Sequence, residues 1–267
     1  MITLHHLEHS RSLRILWALE ELGLEYEVKF YKRLPTYAAP PELKNIHPLG
    51  KAPVLTDGDL VIAESAVILE YLQATYDTEH KFKPQNPKDL MQYNYWMHYA
   101  EGSLMPYLVM TLVMSNVPKH VPFLIKPLAN KICDGVKGGF INPRLKEHSA
   151  YLENYLSQHD YFAGDFSFAD IQMSFPVVAM QERVKAHNPQ MVAYVQRIQQ
   201  RPAFKKAKEE VIPDQVWAEL ENTESNQIKV GQWDLAYKVA NAYNKSNPEK
   251  LKAKFESGEY KRPMILE

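Results

Sequence analysis

A chain of 267 residues with 45% hydrophobic and 24% charged side chains has a globular composition and ample apolar material for a core. Its formal net charge of −1 excludes a global basic field that would draw nucleic acid or an anionic membrane. Its single cysteine, Cys133, excludes an internal disulfide framework and fits a reducing compartment. No apolar run approaches the roughly 20 residues that span a bilayer. The N-terminus MITLHHLEHS lacks a basic region followed by an apolar one. A cytoplasmic chain with neither nucleic-acid nor membrane partner is expected.

Residues 2–7 open with alternating apolar and polar side chains, a strand pattern. Helical spacing follows, with Leu13, Leu16 and Trp17 on one face and Ile15, Leu19 and Leu22 on the next. Gly23 stands where a helix stops. Residues 26–31 form a second strand whose Lys29, with Lys32 and Arg33 beyond it, suits a sheet edge. The β-α-β order predicts a parallel pair joined by a right-handed crossover. Residues 34–50 are loop-rich, with a short helical turn near 41–46. Short strands at 54–56 and 60–63 flank the Asp57-Gly58 turn signal, and a helix over 65–76 faces Ile68, Leu69 and Leu72 inward. Pro53 lacks a donor and suits the start of a strand. Taken alone it reads as trans, since cis is the minority state even before proline.

A proline-bearing linker at 84–87 separates this unit from a helical one. Residues 89–114 carry Leu90, Tyr93, Met97, Ala100 and Leu104 at helical spacing, with a kink expected at Pro106. A loop near 116–122, a further helical segment and a helix over 144–156 follow. In DFSFADIQMSFPVVAM, Ser167 is placed to cap the amide three residues on, and Asp170 sits at the positive end of the helix. Ile171, Phe175, Val178 and Ala179 mark it as a core helix. Helices over 189–200 and from Pro202 complete an all-helical second domain.

Four motifs, in order, carry a family resemblance. HSRSLRILWALEELGL resembles the first strand-loop-helix of glutathione S-transferases, and HPLGKAPVL resembles their loop before a cis-proline. ESAVILEYL resembles their γ-glutamyl-binding motif, and SFADI the capping box of their core helix. WMHYAEGSLMP is further similar to the fungal and bacterial branch with a serine-type active site. Residues 1 to about 208 thus resemble a cytosolic glutathione S-transferase. The resemblance implies an α/β thioredoxin-like domain (βαβ-ββα) at 1–80 and an all-α domain at 88–210. It also implies a homodimer, glutathione as co-substrate, no metal, and a small hydrophobic electrophile as the second substrate.

The resemblance assigns roles residue by residue. Ser10 matches the hydroxyl that donates to the glutathione thiolate, with Ser12 its local competitor and Arg11 a source of positive field. By their position alone, either serine could instead be the helix cap. Ala52 matches the residue whose backbone pairs with the cysteinyl amide, beside Pro53. Ser65 would hold the γ-glutamyl carboxylate at a helix N-terminus, Glu64 the ammonium, and Lys51 the glycine carboxylate. A plain cap and a solvated lysine are the alternatives. Tyr95, Trp96, Tyr99, Glu101 and Met105, with Tyr107, are candidates to line an electrophile site between the domains, although aromatics at helical spacing also build cores. Glu101 could instead reach a partner subunit's glutathione.

His5, His6 and His9 fall on mixed faces without accompanying carboxylates or thiolates, which argues against a metal. Cys133 reads as an apolar filler, which weighs against mixed-disulfide chemistry. Residues 211–267 extend past the resemblance and are expected to be helical and packed on the helical domain, with Trp233, Ala236, Tyr237, Ala240 and Tyr243 on one face. Glutathione conjugation is the leading expectation. Glutathione-dependent reduction of organic hydroperoxides and non-catalytic ligand binding on the same fold are the alternatives.

Overall fold

The computed structural model describes residues 1–210 apart from 8, 9, 32, 35, 37 and 185–187. The expected helices of 211–267, and His9, lie outside the described residues. The described residues divide into two compact units, 1–68 together with 201–210, and Leu69–Gln200.

The first unit is organised by β1 (Ile2–Leu7), all six of whose residues are buried. It pairs parallel with β2 (Tyr26–Tyr31) and antiparallel with β3 (Val54–Asp57), which pairs antiparallel with β4 (Leu60–Ala63). The sheet order is β2-β1-β3-β4, so β2 and β4 are the edges. The parallel pair needs a crossover, and α1 (Ser12–Leu22) supplies it, burying Ile15, Leu16, Trp17, Ala18 and Leu19 completely. Gly23 ends α1 at φ +64°, a left-handed conformation that glycine adopts without steric cost. Its N–H reaches the Glu20 carbonyl at 3.2 Å, and the Leu24 N–H returns to Leu19 at 3.1 Å. With α2 (Ser65–Tyr76) the order is the expected βαβ-ββα of a thioredoxin-like domain.

The second unit holds α3 (Pro87–Tyr99), α4 (Met105–Asn116), α5 (Lys126–Val136), α6 (Asn142–Leu156), α7 (Phe168–Val184) and α8 (Pro189–Gln199). The helix expected over 89–114 is interrupted by a π-helical turn, Ala100–Leu104, rather than simply kinked. Pro106 has no N–H to give the carbonyl four residues back, and the wider turn before it accommodates the ring. The same device recurs at Lys137–Ile141, just before Pro143. Fully buried Trp96 centres the aromatic core, with ring centroids of Phe162 at 4.6 Å, Tyr155 at 4.8 Å and Tyr99 at 5.0 Å.

Asp170, fully buried in the first turn of α7, ties this unit together. Its Oδ1 accepts from the Phe162 N–H at 3.0 Å and the Tyr194 hydroxyl at 3.1 Å, and its Oδ2 accepts from the Ser167 N–H at 2.9 Å. The cap therefore runs opposite to the sequence expectation. The Ser167 hydroxyl donates to Asp170 at 3.3 Å, and the Asp170 N–H goes to the Ser167 carbonyl at 3.0 Å. A carboxylate offers about four acceptor sites on two oxygens, whereas a hydroxyl offers two on one, so the aspartate becomes the hub.

The last helix among the described residues, α9 (Pro202–Glu210), packs on α1. Phe204 stands edge-on to Trp17 at 5.0 Å. Arg201 grips Glu21 with both ends of its guanidinium, at 2.5 and 2.8 Å, and Lys206 reaches Glu20 at 2.6 Å.

Burial pushes the Asp170 carboxyl up to about 6 against the hydrogen bonds that pull it down. The folded protein therefore holds this proton more tightly than the unfolded chain, and the stability it contributes is lost as pH rises from 3.8 to about 6. Asp170→Asn removes that titration, so the unfolding free-energy difference between wild type and variant, measured in urea, shrinks across this window. Asp170→Ala strands the four groups that donate to this carboxylate and costs about 3 kcal/mol below pH 4, a cost that shrinks across the same window.

Candidate functional site

The strand register gathers the sequence candidates at one end of the sheet. His5 pairs with Val54 across β1 and β3, and Val54 pairs with Ala63 across β3 and β4. The C-terminal end of β1, the N-terminal end of β3 and the C-terminal end of β4 are thus neighbours. Ser10 and Ser12 follow the first, Ala52-Pro53 precedes the second, and Glu64-Ser65 follows the third. Two helix N-termini, those of α1 and α2, start at this end and present positive partial charge and backbone donors there.

The two serines divide the work at the start of α1. Ser12, fully buried, is the first residue of the helix, and its Oγ accepts the Leu7 N–H at 3.4 Å. Ser10 is half-buried, and its Oγ accepts the Ser12 N–H at 3.2 Å. The two hydroxyls lie 2.5 Å apart. The N-cap position falls to Arg11, whose side chain makes no capping bond. Ser12 thus stitches the helix to the strand, and Ser10 stands on the accessible side of that pair.

At α2, Glu64 occupies the junction. Its carbonyl accepts the Ile68 N–H at 2.9 Å, its side chain is exposed, and its φ is +72°. A residue with a Cβ is strained there, and nothing in the sequence signals it. Ser65 is buried at the first helical position. The Ala52-Pro53 bond is cis, which corrects the trans reading of Pro53 alone. Ala52 is partly buried against Leu7, Tyr31 and Leu43, whereas Lys51 is exposed. On the same side of β1, His5 Nδ1 pairs with the Tyr31 hydroxyl at 2.9 Å. Burial, then the Lys29 charge, hold the His5 pKa down at about 4, so the ring is neutral at pH 7.

The helical-unit candidates separate by exposure. Trp96, Tyr99 and Met105 are buried, and the Tyr99 hydroxyl bonds to His148 Nδ1. Tyr95 is 43% exposed, and Glu101 and Tyr107 are half-buried, so these three retain surface for a ligand. Cys133 is buried in α5. Among the described residues no three His, Cys, Asp or Glu groups converge as a metal would need.

Residues 1–74 match the family model described as the glutathione S-transferase N-terminal domain. The chain is 36% identical over 214 residues to glutathione S-transferase 3 of Schizosaccharomyces pombe, an alignment spanning 79% of this chain and 88% of that one. It is 38% identical over 192 residues to glutathione S-transferase 1 of Saccharomyces cerevisiae, spanning 68% and 82%. Among solved structures, a glutathione S-transferase from Actinobacillus pleuropneumoniae superposes with a TM-score of 0.62 at 36% identity, covering 78% of this chain and 92% of that one.

The left-handed Glu64 offers a direct check on strain. Glu64→Gly relieves the φ penalty and, after glycine's greater unfolded-state entropy, raises stability by about 0.5–1 kcal/mol. Glu64→Ala keeps the strained backbone and changes stability by less than about 0.5 kcal/mol. Paired urea denaturation curves distinguish the two.

Proposed function

Since the chain belongs to the glutathione S-transferase family, we propose that this end of the sheet holds extended glutathione and turns its thiol into a thiolate for addition to a hydrophobic electrophile. The observation that carries the proposal is the register. Neighbouring strands lie about 4.8 Å apart, so β1 and β4 are separated by roughly 10 Å. A fully extended tripeptide reaches about the same distance. Ser65 and the start of α2 suit the γ-glutamyl carboxylate, and exposed Glu64 its ammonium. The Ala52 backbone pairs with the cysteinyl amide as an added strand does. Exposed Lys51 takes the glycine carboxylate.

The thiol then falls at Ser10. Thiolate is the nucleophile, so the site must favour negative sulfur near neutral pH. The Ser12 oxygen accepts from Leu7, which leaves its proton for the Ser10 oxygen. Ser10, accepting from both the Ser12 N–H and the Ser12 hydroxyl, turns its own proton to the sulfur as a strengthened donor. Arg11 and the α1 N-terminus add positive field. The thiol proton having already gone to solvent, the sulfur lone pair forms the new S–C bond while a π bond of the electrophile opens and its electron pair takes a proton from solvent. With a hydroxyl rather than a thiol at this position, the reading favours conjugation over mixed-disulfide chemistry. Tyr95, Glu101 and Tyr107 are the candidates retained for contact with the electrophile. The reading is of a homodimeric, cytoplasmic enzyme of detoxification with no metal.

Calorimetry with glutathione, followed by thiolate absorbance titration in the same sample, tests it. Binding with a thiol pKa well below that of the unbound tripeptide is expected. Ser10→Ala raises that pKa and lowers kcat/KM about a hundredfold with little change in glutathione affinity. Ser12→Ala lowers kcat about tenfold by misdirecting Ser10. Binding without a fall in pKa supports a carrier instead, and full activity in Ser10→Ala sinks the assignment.

A further inference from the structure

The connection between α4 and α5 displays apolar side chains that the proposed activity does not use. Phe123 and Leu124 are 85% and 88% exposed, more than any other large hydrophobic residue among those described. Ile125, Leu128 and Ile132 continue the exposure along the first turns of α5 at 50%, 61% and 59%. Only Cys133 of α5 is buried, so the described residues leave most of this helix's apolar face uncovered.

The charge around this tip has one sign. From residue 102 to residue 133 the sequence contains no Asp or Glu, while Lys119, His120, Lys126 and Lys131 are all exposed. The first carboxylate beyond, Asp134, is paired with Lys137 at 2.8 Å. An exposed apolar tip flanked in sequence by exposed lysines has the chemistry of an interfacial anchor, whose hydrophobic groups enter the acyl boundary while its cations meet lipid phosphates. A second copy of the chain fits less well. A two-fold interface centred on the tip places the same surface on both sides, setting lysines against lysines. No helix among the described residues is long and apolar enough to cross a membrane.

We propose that the α4–α5 connection docks this protein onto an anionic bilayer surface, with Phe123 and Leu124 inserted and Lys119, Lys126 and Lys131 against the headgroups. The sequence-wide charge of −1 hides this local patch, which is why composition argues against a membrane partner.

Flotation of the full chain with vesicles tests the proposal. Binding to phosphatidylcholine–phosphatidylserine vesicles is expected, with weakening as salt is raised and little binding to phosphatidylcholine alone. Phe123→Ser with Leu124→Ser lowers partitioning at least tenfold, and Lys126→Gln lowers it about fivefold. Both substitutions lie on exposed surface, and an unchanged melting temperature shows that the fold is intact. Equal flotation on neutral vesicles, no flotation on anionic ones, or flotation indifferent to the double substitution overturns the proposal. So does a double variant that turns a dimer into a monomer in sedimentation without affecting flotation, which would make a second copy the occupant.

Discussion

A strand hydrogen-bonded along both edges can release its chain only at its ends, and β1 is such a strand. Paired with β2 on one side and β3 on the other, with every residue buried, it leaves nowhere else for polar chemistry to emerge. The Leu7 N–H, at the last residue of the strand, is satisfied by Ser12, and that bond fixes where α1 begins. Ser10 is then held in the short span between two rigid elements. Antiparallel β3 and β4 carry Pro53 and Ser65 to the same end for the same reason, since their register is set by pairing to β1. The proposed reactive hydroxyl is thus positioned by backbone hydrogen bonds, which a ligand need not rearrange.

The second unit solves a different problem by similar means. Helices carry no register of their own, and something must fix how the start of α7 meets α8 and the turn before it. Asp170 does this with one carboxylate accepting from Phe162, Ser167 and Tyr194. Burying a charge-capable group is costly unless its acceptor sites are filled, and filling them orders three segments at once. The Trp96 cluster adds bulk without direction, whereas Asp170 adds direction with little bulk.

Much of this was legible in the sequence. The βαβ-ββα order, the Gly23 stop, the Asp57-Gly58 turn and the edge character of β2 follow from local pattern, because each is decided within a few residues. What was not legible depends on partners distant in sequence. Ser167 and Asp170 are both plausible caps by type, and only the Phe162 amide and the Tyr194 hydroxyl decide that the carboxylate prevails. Glu64 gives no hint of its left-handed φ, because that conformation is imposed by the junction of β4 with α2. The isomer of the Ala52-Pro53 bond follows from the family motif and not from the residues alone. Trp96 and Tyr95 are adjacent and both aromatic, yet one is enclosed and the other exposed, a distinction that depends on where Tyr155 and Phe162 lie. The helix from Pro202 reads as one more member of the helical domain, and it is Phe204 against Trp17, with the pairings of Lys206 and Arg201 to Glu20 and Glu21, that attaches it to α1.

That attachment makes the first unit discontinuous in the chain, with Leu69–Gln200 standing between its parts. On a ribosome elongating at roughly 5–20 residues per second, the sheet and α1 emerge on the order of ten seconds before the helix that covers Trp17 and neutralises Glu20 and Glu21. During that interval the nascent chain carries an incomplete α1 surface and two carboxylates without their cations. Completion of the first unit is therefore the last event of synthesis over these residues, and a chain cut anywhere before Arg201 forfeits it even though the sheet and its serines are already made.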